Sequence, residues 1–326
     1  MTEVRHVFIL NPVAGKNHSA LLLEDKIKQY FAQNSDEEYS IRITDGKGAA
    51  TRIAEAECAA GDAVRLYACG GDGTLQETAN GIPEGSNAEL TVIPCGSGND
   101  YVRIFGGKEW FLDLPDLIRG EAVPVDAVEC GGMRSLNIAS IGMDAAVCAR
   151  MNKYKNLPGV SGSLAYELAI VDTFVHPIGD EMDITVTDRD GSEEHRHGNF
   201  LLALAANGQY YGGGYHGAPQ AVEDDGVLDF VLVKKIPRLR IPGFLKKYKA
   251  GDYADLPYCE HLRGTAMTVS AAHPTWCNVD GECTCSARMS FSIIPHAFRF
   301  VLPAAVAAAR RAAREIIGGP AIAAAL

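Results

Sequence analysis

The chain has 326 residues, a formal net charge of −11, and 47% hydrophobic and 22% charged residues. These proportions are typical of a soluble globular protein, and the length predicts two domains. The negative charge excludes attraction of the whole molecule to nucleic acid, so an anionic partner must meet a local basic patch. The first residues show no signal-peptide layout, and no apolar run reaches the ~18 residues of a membrane span. We therefore expect a cytoplasmic protein.

The nine cysteines are scattered without a regular spacing. In a reducing compartment such cysteines are expected to be free thiols. A group near the end of the chain invites comparison with a zinc site: Cys259, His273, Cys277, Cys283 and Cys285. Zinc sites usually contain paired C-x2-4-C knuckles, and this C-x5-C-x-C spacing lacks them, so we predict no metal there.

The first third of the chain alternates strand and helix patterns. Apolar runs predict strands at 7–10, 39–44, 64–69 and 90–94. Apolar residues at helical spacing predict helices at 20–32, at 49–60 and from Thr74 onward. Repeated β–α units of this kind predict a parallel sheet with helices on both faces.

The pattern changes after about residue 126. Short strand patterns separated by Gly, Pro and Asp turns occur at 182–187, 200–206, 227–234, 266–271 and 288–294. A helix is predicted at 163–175, and an alanine-rich helix at 304–317. Because few helices separate the strands, this half is predicted to be mainly antiparallel sheet.

Three glycine-containing loops follow successive predicted strands: NPVAGK at 11–16, GGDGT at 70–74 and PCGSGND at 94–100. In an open parallel sheet, ligands bind beyond the carboxyl ends of the strands, so the three loops are expected to meet. A glycine turn that enters a helix presents backbone N–H groups to an anion. A single loop would be explained by a tight turn that needs the freedom of glycine. Three together indicate a nucleotide-phosphate site.

These three loops resemble the diacylglycerol kinase catalytic domain of bacterial lipid kinases. Further motifs match in the same order: NIASIGMDA at 137–145, NGQYYGGG at 207–214, APQAVEDDGVLD at 218–229 and VDGE at 279–282. The resemblance therefore covers about residues 5 to 300. GGDGT alone is shared with NAD kinases and phosphofructokinases, whose N-terminal domains are similar.

The resemblance implies an N-terminal three-layer α/β domain, residues 1–126, completed by the C-terminal segment 301–326. It implies a second domain, an antiparallel β-sandwich at 127–300 that takes the lipid substrate. ATP is expected in the cleft between them. The implied nucleotide-binding residues are Asn11, Pro12, Val13, Ala14, Gly15, Thr44, Gly70, Gly71, Asp72, Gly73, Thr74, Leu75, Gln76, Ser97 and Asn99. Family members commonly have threonine at the position of Ser97, so the hydroxyl is kept.

The resemblance also implies which carboxylates bind magnesium. Asp72, Asp100 and Asp126 match the family carboxylates near the phosphates, and we expect them to hold Mg²⁺ largely through water, because this ion keeps several of its waters. For Asp100 and Asp126 the alternative is an Asx turn or a helix cap. The run EDDGVLD matches a second, structural Mg²⁺ loop. There Asp225 would bind through its side chain and Val222 and Val227 through their carbonyls, with an ordinary hairpin turn as the alternative.

The lipid hydroxyl must lose a proton during phosphoryl transfer, and the resemblance marks Asp280 and Glu282 as catalytic. Residues two apart on an extended segment point the same way, so both are expected to face the cleft. One of them is expected to act as the base, and the sequence does not decide which. Asp72 is the next candidate base. A solvated D-G turn is the alternative for the motif taken alone.

Residues 234–249, KKIPRLRIPGFLKKYK, contain seven Lys or Arg and no acid. Such a segment is typical of a surface that contacts anionic lipid headgroups, with apolar side chains entering the interface. The apolar residues in it are Ile236, Leu239, Ile241, Phe244 and Leu245. The alternative is a solvated basic surface.

The leading hypothesis is an ATP- and Mg²⁺-dependent lipid kinase that phosphorylates a hydroxyl of diacylglycerol or a related lipid. A NAD kinase-like enzyme is disfavoured by N-P-x-x-G, G-S-G-N-D and D-G-E. A non-catalytic nucleotide- or lipid-binding regulator is disfavoured because it has no need of Asp72, Asp280 and Glu282 together. The expected partners are a lipid at the membrane surface, contacted peripherally, and a second copy of the chain in a homodimer, with no nucleic acid.

Overall fold

The computed structural model describes residues 4–317 apart from 16–18, 35, 62, 97, 156, 158–159 and 161. The first part of the chain alternates strands and helices, as the sequence pattern predicts. Its elements are β1 Arg5–Leu10, α1 Ser19–Gln33, β2 Tyr39–Ile43, α2 Ala49–Ala59, β3 Val64–Gly70, α3 Asp72–Gly81, β4 Glu89–Pro94 and α4 Leu114–Ile118.

The second part contains more and longer strands than the pattern predicts. Its elements are β5 Glu121–Cys130, β6 Met133–Ser135, β7 Ile138–Gly142, α5 Met143–Lys155, α6 Gly162–Val175, β8 Asp180–Thr187, β9 Glu193–Ala206, β10 Tyr210–Tyr211, β11 Tyr215–His216, β12 Leu228–Lys234, α7 Ile241–Ala250, β13 Cys259–Gly264, β14 Ala266–Val279, β15 Glu282–Leu302 and α8 Ala304–Ile317. The helices α5 and α7 were not predicted from the sequence.

The first four strands form a parallel sheet in the order β2–β1–β3–β4. Every residue of β3 is buried, which is why its sequence is an almost continuous apolar run. In the core, Phe8 of β1 stacks on Tyr67 of β3 with ring centroids 4.3 Å apart. The predicted parallel sheet is confirmed.

The strand β15 joins the two parts of the chain. It pairs antiparallel with β14 and then with β5, and its residues Arg299 and Phe300 run parallel to β4. The strands of both parts are therefore hydrogen-bonded into one sheet. After β15, helix α8 places Val306 and Ala307 in the core of the first part. The end of the chain thus returns to the first part, while the exact domain boundaries and the homodimer stay predictions.

The second part is built around the antiparallel strands β7, β9 and β12. Along β9 the side chains alternate, so that Ala203 and Ala205 join one core while Leu202 and Leu204 join another. The second of these cores includes Phe244 of α7. This sheet face, covered by helices, forms part of the cavity described below. No helix in the described ranges is long and apolar enough to cross a membrane.

Candidate active site

The predicted nucleotide-binding residues lie at the carboxyl ends of adjacent parallel strands. Asn11–Gly15 follow β1, Thr44 follows β2, Gly70–Gln76 cover the end of β3 and the start of α3, and Asn99 follows β4. Ser97 lies outside the described residues. The loops touch one another: Asn11 Nδ2 donates to Thr74 Oγ1 over 3.1 Å.

Two of the loops pack backbone against backbone. A Cβ added to Gly70 would collide with the side chain of Thr74, and a Cβ on Gly96 would collide with the backbone of Gly71. Glycine is therefore required at Gly96 by the close approach of the two loops, and at Gly70 by the Thr74 side chain of its own loop. Gly73 differs, because a Cβ there would meet open space. Its missing side chain leaves room for a ligand beside the helix N-terminus.

Asp72 is the first residue of α3, which begins two residues earlier than the sequence pattern predicts. Its Oδ2 accepts a hydrogen bond from the N–H of Asn99 and its Oδ1 one from the N–H of Asp100, both at 2.7 Å. Burial, together with the nearby Asp100 carboxylate, raises the pKa of Asp72 to about 6. Asp100 in turn accepts from the N–H of Gly213 over 2.7 Å and forms an ion pair with Arg103 Nε at 3.0 Å. The neighbouring Asp72 carboxylate is held by backbone donors alone, so a cation beside the two would be attracted by Asp72 and would share Asp100 with the guanidinium.

A buried side-chain amide in the first turns of α3 lacks hydrogen-bond partners among the described residues. Gln76 is buried, and neither its amide nitrogen nor its amide oxygen finds a hydrogen-bond partner among the described residues. The side-chain oxygen of Asn99 is in the same situation. Buried polar atoms are normally paired, so these two amides fit a site that receives a polar ligand.

Asp280 occupies the turn between β14 and β15, with a left-handed φ of 45°. Its Oδ2 accepts a hydrogen bond from Ser135 Oγ over 2.6 Å, and its Oδ1 one from the N–H of Ile138 over 3.3 Å. Burial raises the pKa of Asp280 to about 7, and the negative charge of Asp72 adds to the rise. A carboxyl with this pKa is suited to accept and release a proton near neutral pH.

The expectation that Asp280 and Glu282 both face the cleft is not met. The left-handed φ of Asp280 breaks the extended geometry on which the two-residue rule depends. The Glu282 side chain is 43% exposed and forms an ion pair with Lys47 Nζ at 2.6 Å. Asp280 lines the cavity described next, and Glu282 does not. The structure therefore separates the two carboxylates.

A cavity of about 420 Å³ opens beside these carboxylates. From the first part of the chain it receives Asp72, Gly98 and Asp100, and from the β14–β15 turn Asp280 and Gly281. The rest of its wall is largely apolar and comes from the second part. The apolar lining residues are Ile138, Met143, Val147, Met151, Ile170, Phe174, Leu202 and Leu245. An apolar chamber that reaches the phosphate-binding edge suits an amphipathic ligand with one polar end.

A second polar group inside this cavity was not predicted from the sequence. Tyr211 donates to Asp144 Oδ2 over 3.1 Å and contacts the hydroxyl of Tyr248 at 3.0 Å. Desolvation raises the pKa of Asp144. The motifs NIASIGMDA and NGQYYGGG contain Asp144 and Tyr211, and they were the available signal, because both matched the family without an assigned role. The three side chains provide hydrogen-bonding groups in an otherwise apolar wall.

Asp126 does not line the cavity, although it was expected near the phosphates. It is fully buried, and its carboxylate accepts hydrogen bonds from the N–H groups of Gly226 and His296, both at 2.7 Å. Burial raises the pKa of Asp126. Asp126 therefore anchors the backbone of the acidic loop 223–226 and does not present its oxygens to the cavity.

The predicted second Mg²⁺ loop does not offer a free carboxylate. Asp225 Oδ2 forms an ion pair with Arg263, and Asp225 Oδ1 accepts from the N–H of Val227 over 3.2 Å. Val222 precedes Asp225 in the same loop. Among the described residues, no group of three or more His, Cys, Asp or Glu side chains is arranged to hold a metal ion. The guanidinium of Arg263 takes the place at the Asp225 carboxylate that the prediction gave to the cation, while binding through the carbonyls of Val222 and Val227 stays a prediction.

The basic segment 234–249 differs from its prediction in its apolar residues. Ile236, Ile241 and Phe244 are buried in the core, and Leu245 lines the cavity. Leu239 is the one apolar residue of the segment that stays outside, at 96% exposed. The seven cations are all exposed: Lys234, Lys235, Arg238, Arg240, Lys246, Lys247 and Lys249.

Comparison with known proteins agrees with this geometry. The family described as "Diacylglycerol kinase catalytic domain" matches residues 5–130, and "YegS C-terminal NAD kinase beta sandwich-like domain" matches residues 137–302. A protein of Pseudomonas aeruginosa is 33% identical over 85% of this chain and 89% of its own length. The chain belongs to the YegS-like diacylglycerol kinase family.

Two further comparisons support the family and the fold. A Pseudomonas fluorescens relative of this family is 31% identical over 81% of this chain and 85% of its own length. Both Pseudomonas relatives carry the name "Probable lipid kinase YegS-like". A diacylglycerol kinase structure from Bacillus anthracis has a TM-score of 0.67 at 21% identity and covers 94% of this chain and 98% of that one. The predicted fold class, an α/β domain followed by a β-sandwich domain, is confirmed.

Proposed function

We propose that this YegS-like protein is a lipid kinase that uses ATP with Mg²⁺ to phosphorylate a hydroxyl of diacylglycerol or a related lipid. One observation carries the proposal. The apolar cavity, which suits a lipid chain, reaches Asp72, Asp100 and Asp280 at the edge where the glycine loops meet. Lipid acceptor and nucleotide phosphate would thus meet at these carboxylates.

The glycine loops would hold the nucleotide. Their backbone N–H groups and the N-terminus of α3 attract phosphate, and Gly73 leaves space for it. Asp72 and Asp100 would hold the magnesium ion: the Asp100 charge raises the pKa of Asp72, a repulsion that a cation relieves, and Asp100 would share its carboxylate between the ion and Arg103. When bound, Mg²⁺ would neutralise charge on the phosphates during transfer.

Asp280 is the base that the geometry favours. Its pKa of about 7 lets a large fraction be ionised at neutral pH and still gives it affinity for a proton. The Ser135 hydroxyl and the Ile138 N–H donate to it and fix its orientation. As the lipid oxygen bonds to the γ-phosphorus, Asp280 would accept the hydroxyl proton. Glu282, paired with Lys47, would instead link the second part of the chain to the loop that follows β2.

The cavity lies next to a surface suited to a membrane. On α6, Phe174 lines the cavity while Val171 and Val175 are exposed by 63% and 71%. Arg238 Nη2 donates to the carbonyl oxygen of His176 over 2.7 Å, which brings the basic segment to the end of α6. Exposed valines beside exposed cations favour peripheral contact with anionic lipid.

The test is to offer labelled ATP and Mg²⁺ with an extract of mixed lipids, and separately with NAD. Label in a lipid phosphate would support the proposal and identify the acceptor. Label in NADP would favour the NAD kinase-like alternative. Binding of ATP without transfer to any lipid would favour the non-catalytic regulator.

A further inference from the structure

Two cysteine thiols meet beside the turn that contains Asp280. Cys148 lies on α5 and lines the cavity, and Cys283 is the second residue of β15. The Cys283 sulfur reaches α5 itself, where it lies 3.9 Å from the carbonyl oxygen of Ala145, three residues before Cys148. Both sulfurs lie near the carbonyl oxygen of Gly281, Cys148 Sγ at 3.7 Å and Cys283 Sγ at 3.8 Å. The two thiols therefore lie next to the candidate base, although they are 135 positions apart in the sequence.

We propose that Cys148 and Cys283 form a reversible oxidation site, at which hydrogen peroxide or a small-molecule disulfide joins the two sulfurs and lowers activity toward the lipid. The effect on activity rests on the proposed function, while the oxidation itself does not. With peroxide, one thiolate attacks an oxygen atom, which gives a sulfenic acid and hydroxide. The other thiol then displaces hydroxide from the sulfenic sulfur. In total, two thiols and one peroxide give one disulfide and two waters. With a small-molecule disulfide, one protein thiolate attacks a sulfur and releases one small thiol, and the other protein thiol then displaces the second, so two protein thiols and one disulfide give the protein disulfide and two small thiols.

The other thiols are less suited to this reaction. Cys130 and Cys277 also form a pair, with sulfurs 4.0 Å apart, but both are fully buried, so an oxidant in solution does not reach them. Cys285 is exposed, but its neighbour across the β14–β15 pair is Trp276. Cys148 and Cys283 are partly exposed, and the cavity leads to Cys148. This pair thus combines two sulfurs beside one carbonyl oxygen with access from solution.

The surroundings of the pair favour the reduced form. The neighbouring Cys148 thiol raises the pKa of Cys283 most, burial adds to the rise, and Asp144 and Glu282 contribute in the same direction. Lys47 lies close enough to Cys283 to interact with it and is paired with Glu282. Because the thiolate is the reactive species, the pair is expected to oxidise more slowly than an exposed cysteine. Sustained exposure to oxidant would therefore be needed to form the disulfide.

A disulfide here would change the lipid site more than the nucleotide site. It needs a sulfur–sulfur distance of about 2 Å, shorter than any non-bonded contact, so α5 and the β14–β15 turn must draw together. Helix α5 supplies Met143, Val147 and Met151 to the cavity wall, and the turn carries Asp280. The glycine loops after β1, β3 and β4 contain neither cysteine. We expect the acceptor site to be altered while ATP binding is kept.

The experiment uses the whole chain, reduced and then exposed to hydrogen peroxide or to oxidised glutathione. Remaining thiols are alkylated, and peptides are analysed by mass spectrometry, while lipid phosphorylation and ATP binding are measured on the same samples. The expected result is a linked Cys148–Cys283 peptide. It should appear with a several-fold loss of activity that dithiothreitol restores, and with ATP affinity within about two-fold of the reduced protein. Cys283→Ser and Cys283→Ala should lose both the link and the response, whereas the control Cys285→Ser should keep both.

Three results would overturn parts of the proposal. If the oxidised wild-type protein gives no linked peptide, the proposal that Cys148 and Cys283 form an oxidation site is wrong. A linked peptide in a fully active protein would show that the disulfide does not lower activity. If oxidant lowers the activity of Cys283→Ser as much as that of the wild type, the loss of activity does not come from this disulfide. If no lipid is phosphorylated even by the reduced protein, the proposed function fails, and the peptide analysis still decides whether the thiols pair.

Discussion

Asp72 and Asp280 line the same cavity although they come from opposite parts of the chain, Asp72 from the first turn of α3 and Asp280 from the β14–β15 turn. Burial raises the pKa of both, to about 6 and about 7. Asp72 is fixed by two backbone donors, which suits a constant negative charge near a cation. Asp280 has the higher pKa, which suits a group that takes up a proton. Different surroundings thus give two similar carboxylates different roles.

The first prediction concerns the pH dependence of catalysis. A base must be ionised to accept a proton, and the pKa of Asp280 is about 7, so kcat/KM for the lipid should fall about tenfold per pH unit below that value.

The same role predicts the effect of removing the base: Asp280→Asn should reduce kcat by ~10²–10⁴-fold with ATP affinity within a few-fold of normal. The matched variant Glu282→Gln should lose less. Turnover and ATP titration of each variant measure both effects, and a fully active Asp280→Asn protein would exclude Asp280 as the base.

The second prediction concerns stability in the absence of ATP and Mg²⁺. The folded-state pKa values of Asp72 and Asp280 lie above the ~4 of an unfolded aspartate, so folding takes up protons between pH ~4 and ~7. The free energy of unfolding should therefore decrease as pH rises through this window, by up to about 1.4 kcal/mol per pH unit for each group. Asp280→Asn should remove one such contribution. Urea unfolding of both proteins across the window measures the slopes, and equal slopes would contradict the burial-raised pKa.

The third prediction tests the space at Gly73. A Cβ there meets no atom of the protein, so Gly73→Ala should fold normally but obstruct a phosphate that approaches the backbone. We expect weaker ATP binding and strongly reduced turnover at an unchanged melting temperature. Gly243→Ala is the control, because Gly243 also faces open space and lies on α7, outside the glycine loops. If Gly73→Ala binds ATP as tightly as this control, the loop is not a phosphate site.

The fourth prediction concerns Arg263 in the acidic loop. Arg263→Gln would leave the carboxylate of Asp225 without its ionic partner, and we expect a loss of about 1–3 kcal/mol in the free energy of unfolding. Millimolar Mg²⁺ should then raise the melting temperature of this variant more than that of the wild type, because a cation replaces the guanidinium.

Arg299→Gln serves as its control. Arg299 forms an ion pair of 3.1 Å with Glu89 and is similarly exposed, so its loss should cost no more than about 1 kcal/mol and should create no response to Mg²⁺. An equal response of wild type and Arg263→Gln to Mg²⁺ in the absence of nucleotide would mean that Arg263 does not replace a cation.

The fifth prediction concerns the membrane surface. Lys246, Lys247 and Lys249 are exposed on α7, and each lysine near an anionic surface contributes about 1 kcal/mol. Changing all three to Glu should abolish most binding to anionic vesicles, while phosphorylation of detergent-dispersed lipid continues. The control carries the same charge change at Lys26, Lys28 and Lys108, which are also exposed. If both triple variants lose binding equally, the effect comes from net charge and the docking surface lies elsewhere.

Local patterns in the sequence determined the order of strands and helices in the first part, the glycine loops and the change to antiparallel sheet. These features follow from short-range chemistry: apolar periodicity selects strands and helices, and glycine permits the close turns. The motifs also predict Asp72 and Asp280 as residues of the site without any knowledge of their contacts.

The tertiary structure alone decided which of the predicted groups face the cavity. The left-handed turn at Asp280 separates it from Glu282, and Arg263, distant in sequence, takes the carboxylate of Asp225. The cavity wall and the meeting of Cys148 with Cys283 likewise depend on helix α5 packing beside the end of β14. The reason is physical: a side chain's direction, burial and ion partner are set by neighbours that folding brings together, and no local pattern records them.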